Sequence, residues 1–299
     1  MTVLLQVENL TKKYRDEMAT ETVSFELEQH TSTALIGPNG AGKTTTLSML
    51  AGLVTPTSGT ISFGDKKVTD IRKIIGFLPQ YPKFYSWMSA LEFTEMAARL
   101  SGVEAKKATI EATKTLEFVG LGDAMKKKTA TFSGGMKQRL GLAQAIVHKP
   151  KLLLLDEPVS ALDPVGRRQV MDLLKELQQE VTILYSTHIL NDAEEMTDQL
   201  LFLRQGKLVE QGSLVDVRSR YAEPRIIIEF EQQQELERFT RLSPWQFTTK
   251  GMSVSIDVRS ENVGMSDVLT VLHEGSFLLR KVERETASLE DIFMKVAVV

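Results

Sequence analysis

A glycine-rich segment near the start of the chain has the residue types and spacing that bind phosphate. It matches the pattern G-x-x-x-x-G-K-[ST] and consists of Gly37, Pro38, Asn39, Gly40, Ala41, Gly42, Lys43 and Thr44. Glycine lets the backbone curl so that successive N–H groups point inward at phosphate oxygens. Lys43 can then reach the β- and γ-phosphates of a nucleotide, and the Thr44 hydroxyl can ligate Mg²⁺. The segment therefore predicts a site for a nucleoside triphosphate.

Two neighbouring acids, Asp156 and Glu157, follow an apolar run over residues 152–155. Such a run, bounded by Pro150 and Pro158, is typical of a strand that is buried on both faces in a parallel sheet. An acid at the carboxyl end of that strand lies at the crevice where such sheets bind their ligands. There Asp156 can hold Mg²⁺ through water, and Glu157 can polarise an attacking water molecule. A phosphate-binding loop by itself is also found in kinases, GTPases and helicases, so a third element must narrow the choice.

A second segment that can bind phosphate consists of Ser133, Gly134 and Gly135 before a predicted helix. Like the glycine-rich loop, its serine and glycines can point several backbone N–H groups at one phosphate, an arrangement called a nest. Because one nucleotide rarely needs two such nests, we expect this nest to complete the site of another subunit. Residues 133–139, of the sequence SGGMKQR, resemble the signature motif of ABC-type ATPases, which are the nucleotide-binding subunits of ABC transporters.

Other residues match the same family position by position. Gln80 resembles the Q-loop glutamine, and Asp163 in the segment 160–163 resembles the D-loop aspartate. His188 resembles the switch histidine that senses the γ-phosphate, and Tyr14 resembles the aromatic residue that stacks on adenine. A lone histidine after a strand is usually a loop residue, and a lone tyrosine more often packs than stacks. Their order and spacing in this chain favour the functional interpretation.

The resemblance covers about residues 3–215 and implies an ATPase that uses ATP and Mg²⁺. It implies that Glu157, His188 and Gln80 are catalytic, and that Thr44, Gln80 and Asp156 bind the metal. The residues that it assigns to nucleotide binding are Tyr14, Gly37, Pro38, Asn39, Gly40, Ala41, Gly42, Lys43, Thr44, Thr45, Ser133, Gly134, Gly135 and Asp163. Two departures from the family pattern are Phe132, where leucine is usual, and the turn at residues 29–30, where Gly-Glu is common. Neither affects a catalytic position.

The resemblance also implies partners and a location. A second ATPase subunit, with a homodimer favoured, would face the first head to tail. This dimer would close when ATP binds and reopen after hydrolysis, and that motion would drive an integral membrane permease subunit. The chain would lie in the cytoplasm, bound to the cytoplasmic face of the cell membrane through that permease. Residues 288–295 resemble the ending of bacterial ATPases that serve exporters. The same residues also have the apolar spacing of a simple amphipathic C-terminal helix.

Three alternatives to an exporter subunit stay open at this point. A soluble ABC-type ATPase of DNA repair or translation is disfavoured, because neither a long coiled coil nor a second ATPase cassette is visible. A non-catalytic binding module is disfavoured by the intact acids Asp156 and Glu157 and by His188. An importer subunit is disfavoured only by the resemblance of residues 288–295 to the ending of exporter subunits.

The composition sets limits on these functions. The 299 residues have a net charge of −3, so we expect no strongly basic surface and no nucleic-acid partner. Cysteine is absent, which excludes disulfides and thiolate metal sites. No stretch approaches the 18 or so apolar residues of a membrane helix, and no signal peptide is expected.

The elements that must position these residues alternate between strands and helices. Apolar runs predict strands at residues 23–27, 33–36, 61–63, 74–78, 152–155 and 181–185 and a hairpin at 200–209. Helical patterns are expected at residues 45–50, 91–100, 105–119 and 169–179. We therefore predict an α/β P-loop NTPase of the ABC type over residues 1–220, with a mainly parallel core sheet, an antiparallel β subdomain and a helical subdomain at about 81–150. Residues 221–299 are predicted to form a small C-terminal α+β accessory domain.

Overall fold

The computed structural model describes residues 2–64, 71–160, 162–221, 224–285 and 288–298. These residues form two compact units, one of residues 1–214 with 296–299 and the other of residues 215–295. The division lies at the start of the helix Leu214–Tyr221, whereas the boundary predicted from the sequence lies at its end.

The first unit alternates strands and helices. Its strands are β1 (Val3–Tyr14), β2 (Glu17–Glu28), β3 (Ser32–Ile36), β4 (Ser58–Phe63), β5 (Ile75–Leu78), β6 (Leu152–Asp156), β7 (Thr182–Thr187), β8 (Gln199–Arg204) and β9 (Lys207–Ser213). Its helices are α1 (Lys43–Leu50), α2 (Ala90–Leu100), α3 (Ala105–Phe118), α4 (Gly134–Ile146), α5 (Pro164–Leu177) and α6 (Leu190–Met196). Short 3₁₀ turns lie at Ile71–Lys73, Gly122–Ala124 and Thr129–Thr131. The helix α7 (Leu214–Tyr221) begins at Leu214 of the first unit and continues into the second.

The central sheet positions the site. Its strand order is β5-β6-β7-β3-β8-β9, and all neighbours are parallel except β8 and β9. Every residue of β3, β6 and β7 is buried, as expected for strands that are covered on both faces. Because β3, β6 and β7 are parallel neighbours, their carboxyl ends meet at one edge of the sheet. The residues that follow these strands are therefore brought close together.

A second, antiparallel sheet has the order β2-β1-β4. Its buried side chains, such as Leu5 and Phe25, belong to one hydrophobic cluster with Leu47 of α1 and Leu154 of β6. This shared core fixes the antiparallel sheet against α1 and the central sheet. The predicted combination of a mainly parallel core sheet and an antiparallel β subdomain is confirmed.

The helices α2, α3 and α4 form the helical part of the unit. Helix α2 begins with a capping box, in which Ser89 Oγ accepts from the Glu92 N–H at 3.2 Å and the Glu92 carboxylate accepts from the Ser89 N–H at 2.6 Å. Between α2 and α3 the buried residues Ala97, Ala98, Ala108 and Ala112 form a cluster with Val147. Alanine at these positions allows the two helices to approach closely.

The second unit has its own sheet and core. Its elements are β10 (Arg225–Phe230), α8 (Gln233–Leu242), β11 (Thr248–Lys250), β12 (Ser253–Asp257), α9 (Met265–Glu274) and β13 (Leu279–Glu285), followed by α10 (Leu289–Val298). The strand order β11-β12-β10-β13 and the antiparallel pairing give the βαββαβ arrangement of a ferredoxin-like fold. Phe230, Phe239 and Phe277 lie at the centre of its core, with ring centroids 5.3 to 6.0 Å apart.

Candidate active site

The glycine-rich loop connects β3 to α1 at the carboxyl edge of the central sheet. Gly42 has a φ of +100°, and a Cβ atom there would lie 2.4 Å from the carbonyl oxygen of Ala19. A Cβ atom on Gly37 would lie 2.3 Å from the carbonyl oxygen of Leu203. Only glycine fits either position without movement of the neighbouring backbone. The loop is thus held between β2 and the end of β8 in the shape that the sequence pattern predicts.

Lys43 is the first residue of α1, and its side chain is almost closed to solvent, with 6% exposed. Its ammonium group donates to the carbonyl oxygens of Gly37 at 2.7 Å and Pro38 at 3.2 Å. Burial lowers the pKa of Lys43, and the charges of Glu157 and Asp156 partly oppose that shift. The cation therefore lies within the loop and in the field of both predicted acids.

Thr44 and Thr45 follow Lys43 in the first turn of α1. Thr44 is exposed and Thr45 is half-buried. The next residue, Thr46, is fully buried, and its hydroxyl donates to the carbonyl oxygen of Gly42 at 2.9 Å. Of the three threonines, Thr44 is thus the most open to a ligand in the loop.

Asp156 and Glu157 lie at the end of β6. Asp156 is 2% exposed and pairs in register with Ser186 of β7, whose hydroxyl donates to Asp156 Oδ1 at 2.7 Å. The N–H of Glu157 donates to the same Ser186 oxygen at 2.9 Å. Glu157 itself has a φ of +48°, so the chain turns sharply out of the strand at this residue.

The carboxylate of Glu157 contacts two other predicted site residues. Gln80, which follows β5, donates from Nε2 to Glu157 Oε2 at 3.0 Å. His188, which follows β7, places Nδ1 3.2 Å from Glu157 Oε1. The side chain of Glu157 is 11% exposed, whereas that of His188 is 48% exposed. The structure thus brings together the three residues that the sequence predicts to be catalytic.

The segment Ser133, Gly134 and Gly135 lies at the start of α4. Ser133 caps this helix, because its hydroxyl accepts from the N–H of Met136 at 3.3 Å. Ser133 and Gly134 are exposed. Within the described ranges, no hydrogen bond joins these residues to the glycine-rich loop or to Glu157. The second nest is therefore separate from the first in this chain.

Asp163 and Tyr14 lie apart from the Glu157 contacts. Asp163 caps α5 by accepting from the N–H of Gly166 at 3.1 Å, and its segment includes Ala161, which lies outside the described residues. Tyr14 ends β1 with 46% of its surface exposed. The ammonium group of Lys12 lies 4.9 Å from the centroid of the Tyr14 ring. The ring is thus available to a ligand, with a cation already beside it.

Sequence reasoning did not identify Ser186 as a functional residue. One feature of the sequence could have identified it. Ser186 lies on a buried strand, two residues before His188, and alternate residues of a strand lie on the same face. A second residue that it missed is Gln138, whose side-chain nitrogen donates to the carbonyl oxygen of Pro158 at 2.7 Å. That bond ties α4, which follows the second nest, to the loop that follows Glu157.

Comparisons with known proteins identify the family. Residues 20–160 match the family described as "ABC transporter", and residues 212–297 match that described as "ATP-binding protein DrrA1-3-like, C-terminal domain". The uncharacterized ABC transporter ATP-binding protein YxlF of Bacillus subtilis (strain 168) is 44% identical over 297 residues, covering 98% of this chain and 99% of that protein. The bacitracin transport ATP-binding protein BcrA of Bacillus licheniformis is 35% identical over 306 residues, covering 99% of this chain and 98% of that protein.

Solved structures give the same result. An ATP-binding subunit of an ABC transporter superposes with a TM-score of 0.66 and 31% identity, covering 73% of this chain and 93% of the other. The ATP-binding cassette MJ0796, as a post-hydrolysis dimer bound to ADP and Pi, superposes with a TM-score of 0.64 and 25% identity over 71% of this chain and 99% of its own. Among the described residues, no helix has the length and apolar character that are needed to cross a membrane. Since its relatives match it along almost their whole length, this chain belongs to the ATP-binding subunits of ABC transporters and is an ATPase of that family.

Proposed function

We propose that this ATPase hydrolyses ATP with Mg²⁺ as one subunit of a head-to-tail dimer and thereby powers export through a separate membrane permease. The observation that carries the proposal is the contact of Glu157 with both Gln80 and His188. A carboxylate held in this way, next to the buried Asp156, is positioned to polarise a water molecule. His188 and Gln80 orient that carboxylate.

The oxygen atoms of Asp156, Thr44 and Gln80 are of the kind that binds Mg²⁺. This ion prefers oxygen ligands and is usually bound by one or two carboxylates together with phosphates and water. Asp156 supplies a buried carboxylate, and Thr44 supplies an exposed hydroxyl beside the glycine-rich loop. Gln80, which follows the adjacent strand β5 and contacts Glu157, adds an amide oxygen. When bound, the ion would neutralise charge that develops on the phosphates.

The nucleotide would lie along the start of α1. Backbone N–H groups of the loop and the ammonium group of Lys43 bind phosphate, and the positive end of the helix dipole adds to them. The charges of Asp156 and Glu157 favour the charged form of Lys43. Tyr14, with its exposed ring, would stack on the adenine base.

The exposed nest at the start of α4 supports the dimer. Ser133 and Gly134 are open to solvent and make no described hydrogen bond to the loop of their own chain. Binding of the γ-phosphate by the nest of a second subunit would complete the site, with Asp163 at the interface. A structural neighbour was solved as a dimer with ADP and Pi bound. A homodimer is the arrangement that needs no other chain.

The membrane partner is proposed from the relatives and from one surface. Relatives include a bacitracin transport protein and a linearmycin resistance protein, which favours export. In this chain Tyr81, Tyr85 and Trp87 are 72%, 54% and 68% exposed, and exposed aromatic clusters usually mark interaction surfaces. We propose that these three residues contact the permease at the cytoplasmic face of the membrane. The second unit, residues 215–295, would regulate or stabilise the dimer.

Hydrolysis by the purified chain tests this function. We expect release of inorganic phosphate from ATP that requires Mg²⁺ and rises more than linearly with protein concentration, because two chains form each site. Release that is strictly proportional to protein concentration, in a range where the chain is monomeric, would contradict the dimeric site. Absence of Mg²⁺-dependent release, also in the presence of the co-purified permease, would contradict the proposed mechanism.

A further inference from the structure

A single serine hydroxyl lies between the two acids of the site. Ser186 and Asp156 are partners in the parallel register of β7 and β6, and they are 0% and 2% exposed. The Ser186 Oγ is 2.7 Å from Asp156 Oδ1 and 2.9 Å from the backbone nitrogen of Glu157. The same oxygen atom therefore contacts the predicted metal ligand and the residue that polarises water.

The direction of both hydrogen bonds follows from their chemistry. The N–H of Glu157 can only donate, so the Ser186 oxygen accepts that bond. The hydroxyl proton is then available to the carboxylate of Asp156, which can only accept when it is ionised. A short O–H···O⁻ bond of this kind is charge-assisted and stronger than a neutral one. Ser186 thus fixes the orientation of the Asp156 carboxylate and leaves Oδ2 for other partners.

The bond to Glu157 holds an unfavourable backbone conformation. Glu157 has a φ of +48°, which a residue with a side chain adopts only when its surroundings enforce it. Its N–H is held by Ser186, and its carbonyl oxygen accepts from the N–H of Ser160 at 3.3 Å and from the Ser160 hydroxyl at 3.2 Å. The backbone of Glu157 is therefore anchored on both sides, and this sets where its side chain begins.

We propose that Ser186 is a positioning residue for ATP hydrolysis, which orients Asp156 toward the metal and fixes the backbone of Glu157 for its contact with water. The proposal rests on the proposed function, because it assigns Asp156 to the metal and Glu157 to the water. Residues that orient the ligands of a metal typically contribute 10- to 100-fold in metal affinity or activity. We expect a loss of about that size when the Ser186 hydroxyl is removed.

The test compares Ser186→Ala with Ser32→Ala in the full chain. Ser32 is a suitable control because it is 0% exposed, lies on β3 next to β7, and has a hydroxyl without a hydrogen-bond partner among the described residues. Binding of a non-hydrolysable ATP analogue is measured by calorimetry in EDTA and again in Mg²⁺. We expect the gain in affinity from Mg²⁺ to fall about 10- to 100-fold in Ser186→Ala and to stay at the wild-type value in Ser32→Ala.

Binding in EDTA shows whether each variant has kept its fold and its glycine-rich loop. If Ser186→Ala does not fold, Ser186→Cys replaces it, since this change replaces the hydroxyl by a thiol, which is only a weak donor. This proposal alone would be overturned if a folded Ser186→Ala or Ser186→Cys protein showed the wild-type increase in nucleotide affinity with Mg²⁺ and the wild-type turnover. If Mg²⁺ does not increase the affinity of the wild-type chain for the ATP analogue, the proposed function and this proposal are both overturned.

Discussion

The amide nitrogen of Gln80 donates a hydrogen bond of 3.0 Å to the carboxylate of Glu157. The two residues occupy equivalent positions after adjacent parallel strands, because Leu78 of β5 and Leu155 of β6 are partners in register. Since a carboxylate has about four lone-pair sites, the contacts with Gln80 and His188 leave room for a water molecule. The sheet register thus places a positioning amide beside the acid that acts on water.

Replacement of Glu157 by glutamine should separate nucleotide binding from hydrolysis. The Glu157→Gln variant keeps the shape of the side chain but removes the basic carboxylate, so turnover should fall about 10²- to 10⁴-fold while ATP affinity stays near the wild-type value. The variant should also accumulate as an ATP-bound dimer on size exclusion. Glu180→Gln, at an exposed position after α5, is the matched control and should retain full turnover. Normal turnover in Glu157→Gln would remove this residue from the mechanism.

The Lys43→Met variant tests two effects of the buried ammonium group, one on the stability of the protein without nucleotide and one on the binding of ATP. Burial lowers the pKa of Lys43, so the folded state disfavours its charged form, and this penalty is present at pH values below the folded pKa and is relieved as the pH rises through it. Methionine has a similar length and no charge. Without nucleotide, we therefore expect the melting temperature of the wild type to rise relative to that of Lys43→Met as the pH increases from neutral toward 10.5, the ordinary pKa of lysine.

The same variant should lose the increase in melting temperature that ATP gives to the wild type, because the phosphates lose their cation. Lys107→Met serves as a control, since it removes an exposed lysine of α3, outside the loop, whose ammonium group pairs with the carboxylate of Glu104 at 3.1 Å. A Lys43→Met protein that is still stabilised by ATP to the wild-type extent would show that Lys43 does not bind phosphate.

Tyr14→Ala should weaken ATP binding several-fold and leave turnover at saturating ATP nearly unchanged. Aromatic stacking contributes about 0.5–1.5 kcal/mol beyond the burial of surface, which corresponds to that change in the dissociation constant. Tyr14→Phe keeps the ring and should bind ATP as the wild type does. Equal affinities of the alanine and phenylalanine variants for ATP would show that the exposed ring does not stack on the base.

The elements with strong apolar periodicity were predicted well, and those defined by capping or by polar residues were not. Helix α2 begins one residue before the predicted 91–100, whereas α5 begins five residues before the predicted 169–179. The first turn of α5 contains Pro164 and Gly166 and shows no apolar periodicity, and the helix starts there because Asp163 caps it and proline fits its first position. Strand β1 was not predicted, since register shifts between Val3 and Lys13 interrupt the alternation of its side chains.

For the site, the motifs gave the identity of the residues but not their contacts. The pattern indicated that Gln80, Glu157 and His188 serve one reaction, and the register of three parallel strands brings them together. No motif indicated the two hydrogen bonds of Ser186, because they depend on which residues of β6 and β7 are partners. Such a pairing is a property of the whole sheet and not of a local segment.

The aromatic surface should crosslink to the membrane partner. A photoreactive amino acid in place of Trp87, which is 68% exposed, should give crosslinks to a co-expressed permease. The same replacement at Leu100, which is 80% exposed on α2, tests whether exposure in this subdomain is sufficient for crosslinking. Crosslinks of equal yield at both positions, or crosslinks only from the second unit, would exclude the surface formed by Tyr81, Tyr85 and Trp87 as the specific contact.

Removal of residues 222–299 should leave nucleotide binding intact. The core of the second unit is built from its own strands and helices, and every residue assigned to chemistry lies at or before His188. We therefore expect the truncated chain to bind ATP with wild-type affinity. Dimer formation in a Glu157→Gln background should be weaker, because the second unit is proposed to stabilise the dimer.

One contact of the first unit is also lost in this truncation. The guanidinium group of Arg204 donates to the carbonyl oxygen of Val296 at 2.8 Å, and residues 296–299 group with the first unit. A shorter deletion of residues 296–299 removes this bond and keeps the ferredoxin-like core, so it separates the two effects. If the long truncation loses ATP binding while circular dichroism shows a folded protein, and the short deletion does not, then the second unit contributes to the nucleotide site.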